Sequence, residues 1–102
     1  MTLNNLGILY SDNQRLAESE TAYQEALEIY RHFAKDNPQA YEPNVAMTLY
    51  NLGNLYKDIQ RHAESETAYQ EALRIYRCLV KDNPQAYEPS MTLTLNNLGN
   101  LY

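Results

Sequence analysis

Between residues 45 and 56, Val45, Leu49, Leu52, Gly53 and Tyr56 fall at i, i+4, i+7, i+8 and i+11, which places them on one stripe of a helix. Leu16, Ser19, Tyr23, Ala26, Tyr30 and Phe33 are spaced 3-4-3-4-3, a seam suited to packing between helices, and Ala22 and Ile29 widen it. These spacings predict two kinds of helix. A shorter helix A runs from about Asn44 to Asp58, and a longer helix B from about Arg15 to Lys35 and again from Arg61 to Lys81. At about 1.5 Å per residue, helix B is a rod of roughly 30 Å. Pro43 is expected to open helix A, since its missing N–H is harmless in a first turn. A break is expected near Ile59-Gln60. Asp36-Asn37-Pro38 ends helix B, because proline biases the preceding residue away from helical geometry. The linker Asn37–Pro43 (NPQAYEP) should then lead to the next helix A, with Tyr41 and Tyr87 pinning it and its copy to the helical surface.

The pattern repeats almost verbatim. Leu-Gly-x-Leu-Tyr occurs at Leu6–Tyr10, Leu52–Tyr56 and Leu98–Tyr102, so its glycines are 53 − 7 = 46 and 99 − 53 = 46 residues apart. Residues 2–47 and 48–93 match at 33 of 46 positions, too many for chance. The chain therefore reads as a single array: one unit at about 2–47, a second at about 48–93 and the opening of a third at 94–102. Five helices follow, in the order A, B, A, B, A. A glycine inside a helix costs about 1 kcal/mol relative to alanine. Its recurrence as Gly7, Gly53 and Gly99 therefore points to the close approach of another helix. Small Ser19, Ala26, Ser65 and Ala72, beside Tyr23 and Tyr69, form the natural counter-surface. Leu95, Leu98 and Tyr102 keep the buried-type pattern with no helix B after them, so the chain is expected to be cut from a longer array and to self-associate through its open ends.

Charge and composition narrow the function classes. With 8 Lys+Arg against 13 Asp+Glu the net charge is −5, and an acidic chain repels phosphate backbones, which argues against nucleic-acid binding. No apolar run approaches the roughly 18–20 residues of a membrane span. The single cysteine, Cys78, cannot form an internal disulfide, and a reducing, cytoplasmic setting is expected. No CxxC, HExxH, P-loop or dinucleotide fingerprint is present. His32 and Cys78 occupy equivalent places in successive copies, and like His62 they read as packing positions, with no third group to orient a histidine. Glu18, Glu20, Glu25 and Glu28 read as a solvated face, since calcium loops gather their oxygens in a turn. No catalytic residue, metal site or cofactor is expected.

The residues now in hand resemble the tetratricopeptide repeat family. Leu6-Gly7-Tyr10 and Leu52-Gly53-Tyr56 match its Leu-Gly-x-x-Tyr pattern, and Ser19 with Tyr23, and Ser65 with Tyr69, stand where the family has Ala and Phe. Ala26 and Ala72 hold its later small position. Leu3, Leu49 and Leu95 replace the usual Trp, and Arg31 and Arg77 replace the terminal Pro, so helix B runs longer. The 46-residue interval exceeds the family's period of about 34, and the strings from Glu42 to Gly53 and from Ala72 to Tyr76 look like the extended repeats of kinesin light chains. The resemblance implies an all-α, right-handed superhelix whose A helices line a concave face that binds an extended peptide or a partner helix. On that face would lie Asn4, Asn5, Ile8, Ser11 and Asp12 in the first copy, Met47, Tyr50, Asn51, Asn54, Lys57 and Asp58 in the second, and Asn96, Asn97 and Asn100 in the third. Related repeats use the asparagine at Asn5, Asn51 and Asn97 for bidentate contact with peptide backbone, for which an amide with one acceptor and two donors is suited. A carboxylate clamp is not expected, because Lys57 is the one Lys on an A helix and Asp58 adjoins it. The reading is a non-catalytic protein-interaction scaffold. The alternatives are a regulatory or sensor arm of a larger enzyme or signalling protein, and a self-assembling structural repeat.

Overall fold

Two Asn-Pro pairs divide the chain. Asn37 takes φ −143°, ψ 76° and Asn83 takes φ −147°, ψ 80°, outside the helical region that a following proline disfavours. In the computed structural model, which describes residues 16–102, four α-helices result: α1 (Leu16–Asp36), α2 (Pro38–Asp58), α3 (His62–Asp82) and α4 (Pro84–Leu101). No strand occurs among the described residues. The first expected helix A lies outside them. α3 matches the expected helix B to within a residue at both ends and α1 at its C-terminal end, and a turn at Ile59–Arg61 separates α2 from α3 as expected.

The expected linker is not a linker. Residues 38–43 form the opening turns of α2, and residues 84–89 those of α4. The Asn37 carbonyl accepts from the N–H groups of Ala40 and Tyr41, both at 3.2 Å, and so closes a turn directly behind the break. Pro38 occupies the first helical position, where no N–H is needed. In the second copy the Asn83 side chain also caps the helix, its Oδ1 accepting from the Ala86 N–H at 3.3 Å. Pro43, expected to open the helix, lies inside it and forfeits the bond to the Gln39 carbonyl. Gln39 is exposed, and a helix carbonyl that loses its partner at an exposed residue is open to solvent. Tertiary contacts hold the extra turns: the Tyr41 and Phe33 rings lie 5.1 Å apart, and Tyr87 packs against the core.

Each helix packs on the next in the chain. α2 and α4 also come close, whereas no Cα of α1 lies within 8 Å of a Cα of α3. Val45, Ala46, Leu49, Leu52, Leu55 and Tyr56 of α2 form the centre of the core, enclosed by Tyr23 and Leu27 of α1 and Ala68, Ala72, Tyr76 and Leu79 of α3. The seam expected on α1 is buried at Ser19, Ala22, Tyr23 and Ala26 but not at Phe33, which is 45% exposed where its counterpart Leu79 is buried. Ile29 is exposed as well.

Gly53 shows why a helix tolerates glycine here. A Cβ built on it would lie 2.5 Å from Cδ1 and Cε1 of Tyr69, so the α3 ring lies directly on the α2 backbone. Beside the ring, Ser65 Oγ donates to the Gly53 carbonyl at 2.7 Å. These are the small and aromatic residues expected as the counter-surface.

The α2–α3 turn contains a strained residue. The N–H of Gln60 bonds to the Lys57 carbonyl at 3.1 Å, and that of Arg61 to the Tyr56 carbonyl at 2.8 Å, the pair of bonds that closes a helix through a left-handed residue. Gln60 is that residue, with φ 63°, a conformation costing roughly 1–2 kcal/mol for an L side chain. Gln60→Gly should therefore raise stability, by about 0.5–1 kcal/mol after the entropy of glycine is counted, and chemical denaturation of both proteins checks this.

Candidate functional site

The residues expected to face a partner fall on two helices. Asn4, Asn5, Ile8 and Asp12 lie outside the described residues. α2 carries Met47, Tyr50, Asn51, Asn54, Lys57 and Asp58, and α4 carries Asn97 and Asn100. Met47, Asp58 and Asn100 are exposed, and Tyr50, Asn51, Asn54, Lys57 and Asn97 are half-buried. Met47, Tyr50, Asn54 and Lys57 stand at i, i+3, i+7 and i+10, a single stripe of α2.

Three of these residues meet. Asn97 Nδ2 donates to the Tyr50 hydroxyl at 2.9 Å and to Asn54 Oδ1 at 3.1 Å. Asn54 Oδ1 also accepts from the Tyr69 hydroxyl. Asn54 thus ties α3 and α4 to α2, and the tilted Tyr50 and Tyr69 rings, 6.1 Å apart, flank it. The Asn97 amide nitrogen, expected to face a ligand, is directed to its own fold. The clue lay in the sequence: Tyr50 and Asn54 are i, i+4 neighbours, and the next copy's asparagine reaches both. Asn4 and Ile8 stand in their places in the first copy, so this trio is particular to the second and third.

A second polar cluster closes the opposite face of α2. Tyr56 donates its hydroxyl to Glu20 Oε2 at 3.2 Å and accepts from Gln24 Nε2 at 3.1 Å. The Arg61 guanidinium lies 4.7 Å over the Tyr56 ring, bonds Glu20 Oε1 at 2.8 Å and pairs with Glu64. Arg61 holds the Glu64 carboxyl below the usual carboxylate range through its hydrogen bond. Farther along, Arg31 reaches Glu71 at 2.6 Å. Between these two bridges a groove of about 1230 Å³ separates α1 from α3. Leu27, Leu49, Leu52 and Ala68 line it, with Gln24, Glu28, Phe33 and Thr67. None of the residues expected from sequence lines this groove. It arises between two helices B held apart by α2, a non-local relation that residue spacing does not carry.

Burial sets the titration of the core phenols. It pushes the Tyr69 hydroxyl up to about 12 and raises those of Tyr56 and Tyr76 above their ordinary value near 10. For Tyr69 the unfolded chain gives up the proton near pH 10 and the folded chain near 12. The folded state therefore holds more protons in that window, and the stabilisation present below pH 10 is lost as pH rises toward 12. Melting temperature should stay level to about pH 9.5 and fall steeply above it, which calorimetry across pH 8–11.5 checks.

Among the described residues no cluster of three or more His, Cys, Asp or Glu is placed to hold a metal ion, and no helix is long and apolar enough to cross a membrane. Cys78 is a free, exposed thiol. The arrangement offers surfaces, with side-chain amides, phenols and aliphatic edges as their chemistry. A comparison with curated proteins finds no match. The model of a protein family described as tetratricopeptide repeat matches residues 1–78. With its antiparallel helices and its glycine-on-tyrosine contact, the chain belongs to the tetratricopeptide repeat family, a fold that generally mediates protein–protein interaction and is typically non-catalytic.

Proposed function

We propose that this protein is a non-catalytic interaction scaffold that binds an extended peptide or a partner helix across the outward stripe of its A helices, Met47, Tyr50, Asn51, Asn54 and Lys57 of α2 together with Asn97 and Asn100 of α4. One observation carries the reading. Four residues that α2 buries, Leu49, Leu52, Gly53 and Tyr56, recur unchanged in sequence in the other copies, as Leu3, Leu6, Gly7 and Tyr10 and as Leu95, Leu98, Gly99 and Tyr102. The outward stripe changes instead. The Tyr50 position reads Asn4, Tyr50 and Asn96, the Asn54 position Ile8, Asn54 and Asn100, and the Lys57 position changes from Ser11 to Lys57. The two full units differ at 13 of 46 positions, and four of those differences, at 4/50, 8/54, 11/57 and 47/93, fall on this one stripe, as selection of a partner along an array would produce. Asn5, Asn51 and Asn97 do not vary, as suits contact with backbone that is the same in any peptide. The closeness of α2 to α4, set against the wide spacing of α1 and α3, supports an array that curves toward its A helices. We place this activity in the cytoplasm, with no cofactor and no nucleic acid.

The test uses a peptide selected on the immobilised chain from a random display library. Met47→Ala, Asn51→Ala and Lys57→Ala should each weaken it several-fold, with the melting temperatures of the Met47 and Lys57 variants within a degree or two of the parent. Unchanged affinity in all three variants would overturn the assignment. Asn97→Ala is a control of another kind, because losing its bonds to Tyr50 and Asn54 should lower stability by about 1 kcal/mol whatever the ligand does.

A further inference from the structure

The groove between α1 and α3 is walled by two whole helices, with α2 as its floor. On α1 it takes the face of Gln24, Leu27, Arg31 and Lys35, at i, i+3, i+7 and i+11. Two ion pairs cross it. Arg61, at the start of α3, reaches Glu20 at one end, and Arg31 reaches Glu71 at the other. Glu20 and Arg31 stand 31 − 20 = 11 residues apart on one helix, so the bridges are separated by about 16 Å. A groove bridged at both ends does not admit a helix or a peptide running through it. Its apolar wall, Leu27, Leu49, Leu52 and Ala68, is 8% exposed or less at every residue, so the opening above it is narrow. The occupant must be short and slender.

The two ends differ in charge. At the first, Glu20 and Glu64 already hold Arg61. At the second, His32 and Lys35 line the groove beside Arg31. Arg74 also approaches Glu71, at 3.7 Å, and among the described residues no carboxylate pairs with Lys35. Glu28 is the opposing charge on that wall, one turn closer to the middle. In a chain of net charge −5, cations thus gather at one end of an apolar slot.

We propose that this groove binds a free fatty acid, an unbranched alkyl carboxylate. The alkyl chain lies along Leu27, Leu49, Leu52 and Ala68 and points toward Tyr56. The carboxylate meets Lys35 and the Arg31 guanidinium. Carbon–carbon bonds of about 1.5 Å advance a zigzag chain by about 1.25 Å per carbon, so the span between the bridges fits roughly twelve carbons. The groove volume of about 1230 Å³ is ample for such a ligand, since small-molecule sites run to roughly 300–1,000 Å³. The source is the free acid and not a bilayer, because a chain of net charge −5 is repelled by an anionic membrane surface. This site is separate from the outward stripe of the A helices, and either can fail without the other.

The probe is dodecanoate, titrated calorimetrically into the full chain below the concentration at which it forms micelles. Saturable one-to-one binding is expected. Octanoate and decanoate should bind several-fold more weakly at each step, while tetradecanoate gains less than twofold, because the Glu20–Arg61 bridge closes the far end. Lys35→Glu should weaken dodecanoate tenfold or more, and Glu28→Gln should strengthen it. Thr67→Trp, which fills the groove from its rim, should abolish binding. All three side chains are exposed, so the variants should melt close to the parent. Absence of saturable binding would overturn the proposal. So would an affinity that keeps climbing with chain length, or equal binding of dodecyltrimethylammonium, since either marks unspecific apolar adsorption. Binding to anionic phospholipid vesicles but not to dodecanoate would assign the surface to a membrane and overturn it as well.

Discussion

Tyr69→Ala should lower the unfolding free energy by about 3–5 kcal/mol, the range for deleting a buried aromatic side chain, and should leave the chain largely unfolded at body temperature. Tyr69 is wholly buried, and its ring is the one element that touches Gly53, Tyr50 and, through its hydroxyl, Asn54. Removing it opens a cavity beside the α2 backbone and frees the Asn54 acceptor that joins α3 and α4. Tyr69→Phe separates the two effects. It keeps the ring on Gly53 and deletes only the hydroxyl, so the loss should fall to about 0.5–1.5 kcal/mol. It should also remove one late-titrating phenol from the alkaline transition. Chemical denaturation of the three proteins, with far-ultraviolet dichroism as the signal, checks the order parent, Phe, Ala.

The second large effect is a reversal of sign between two identical substitutions. Gly53→Ala places a methyl 2.5 Å from two ring carbons of Tyr69. The ring cannot swing aside without losing Asn54 and Tyr50, so overpacking of about 1–3 kcal/mol outweighs most or all of the roughly 1 kcal/mol that alanine gains in a helix. Gly99→Ala makes the same change at the equivalent position of α4, where the space is open, and only the helical gain remains. The first variant should melt below the parent and the second at or above it. Equal shifts would mean that the glycines are inherited repeats of one another without a packing role.

Both predictions rest on a contact that could be read before any coordinates. Gly53 in mid-helix and the pairing of Ser65 with Tyr69 already implied a helix lying on a helix, because a glycine at that position is otherwise a net loss. The bounds of α1 and α3 were equally legible, since an Asn-Pro pair stops each at a fixed place. Residues 38–43 were not. Pro43 is a valid signal for the start of a helix, but so is Pro38, and local chemistry does not choose between them. The choice is made by Tyr41 against Phe33 and Tyr87 against the core, contacts with residues on another helix. Phe33 was misplaced in the buried seam for the same reason: the spacing that marks a stripe does not say where the neighbouring helix ends.

For the candidate site the division is similar. The stripe Met47, Tyr50, Asn54 and Lys57 follows from helical geometry and the comparison of copies. That Asn97 directs its amide at Tyr50 and Asn54 depends on how closely α4 approaches α2, a distance that only the packing sets. The groove between α1 and α3 competes for the same role. Its walls hold Gln24, Leu27, Thr67, Ala68 and Glu71, the same residues in both copies, together with Glu28, His32 and Phe33, which become Arg74, Cys78 and Leu79. A surface most of whose residues repeat unchanged suits the building of an array better than the choice of a partner along it.

The most direct measurement maps where the library-selected peptide sits. With the chain labelled with ¹⁵N, titration of that peptide should shift the amide resonances of Met47, Tyr50, Asn51, Asn54, Lys57, Asn97 and Asn100 and leave those of Leu27, Glu28, Phe33, Thr67 and Glu71 in place. Shifts confined to the second set, with the first unmoved, would contradict the assignment and transfer the binding surface to the groove between α1 and α3.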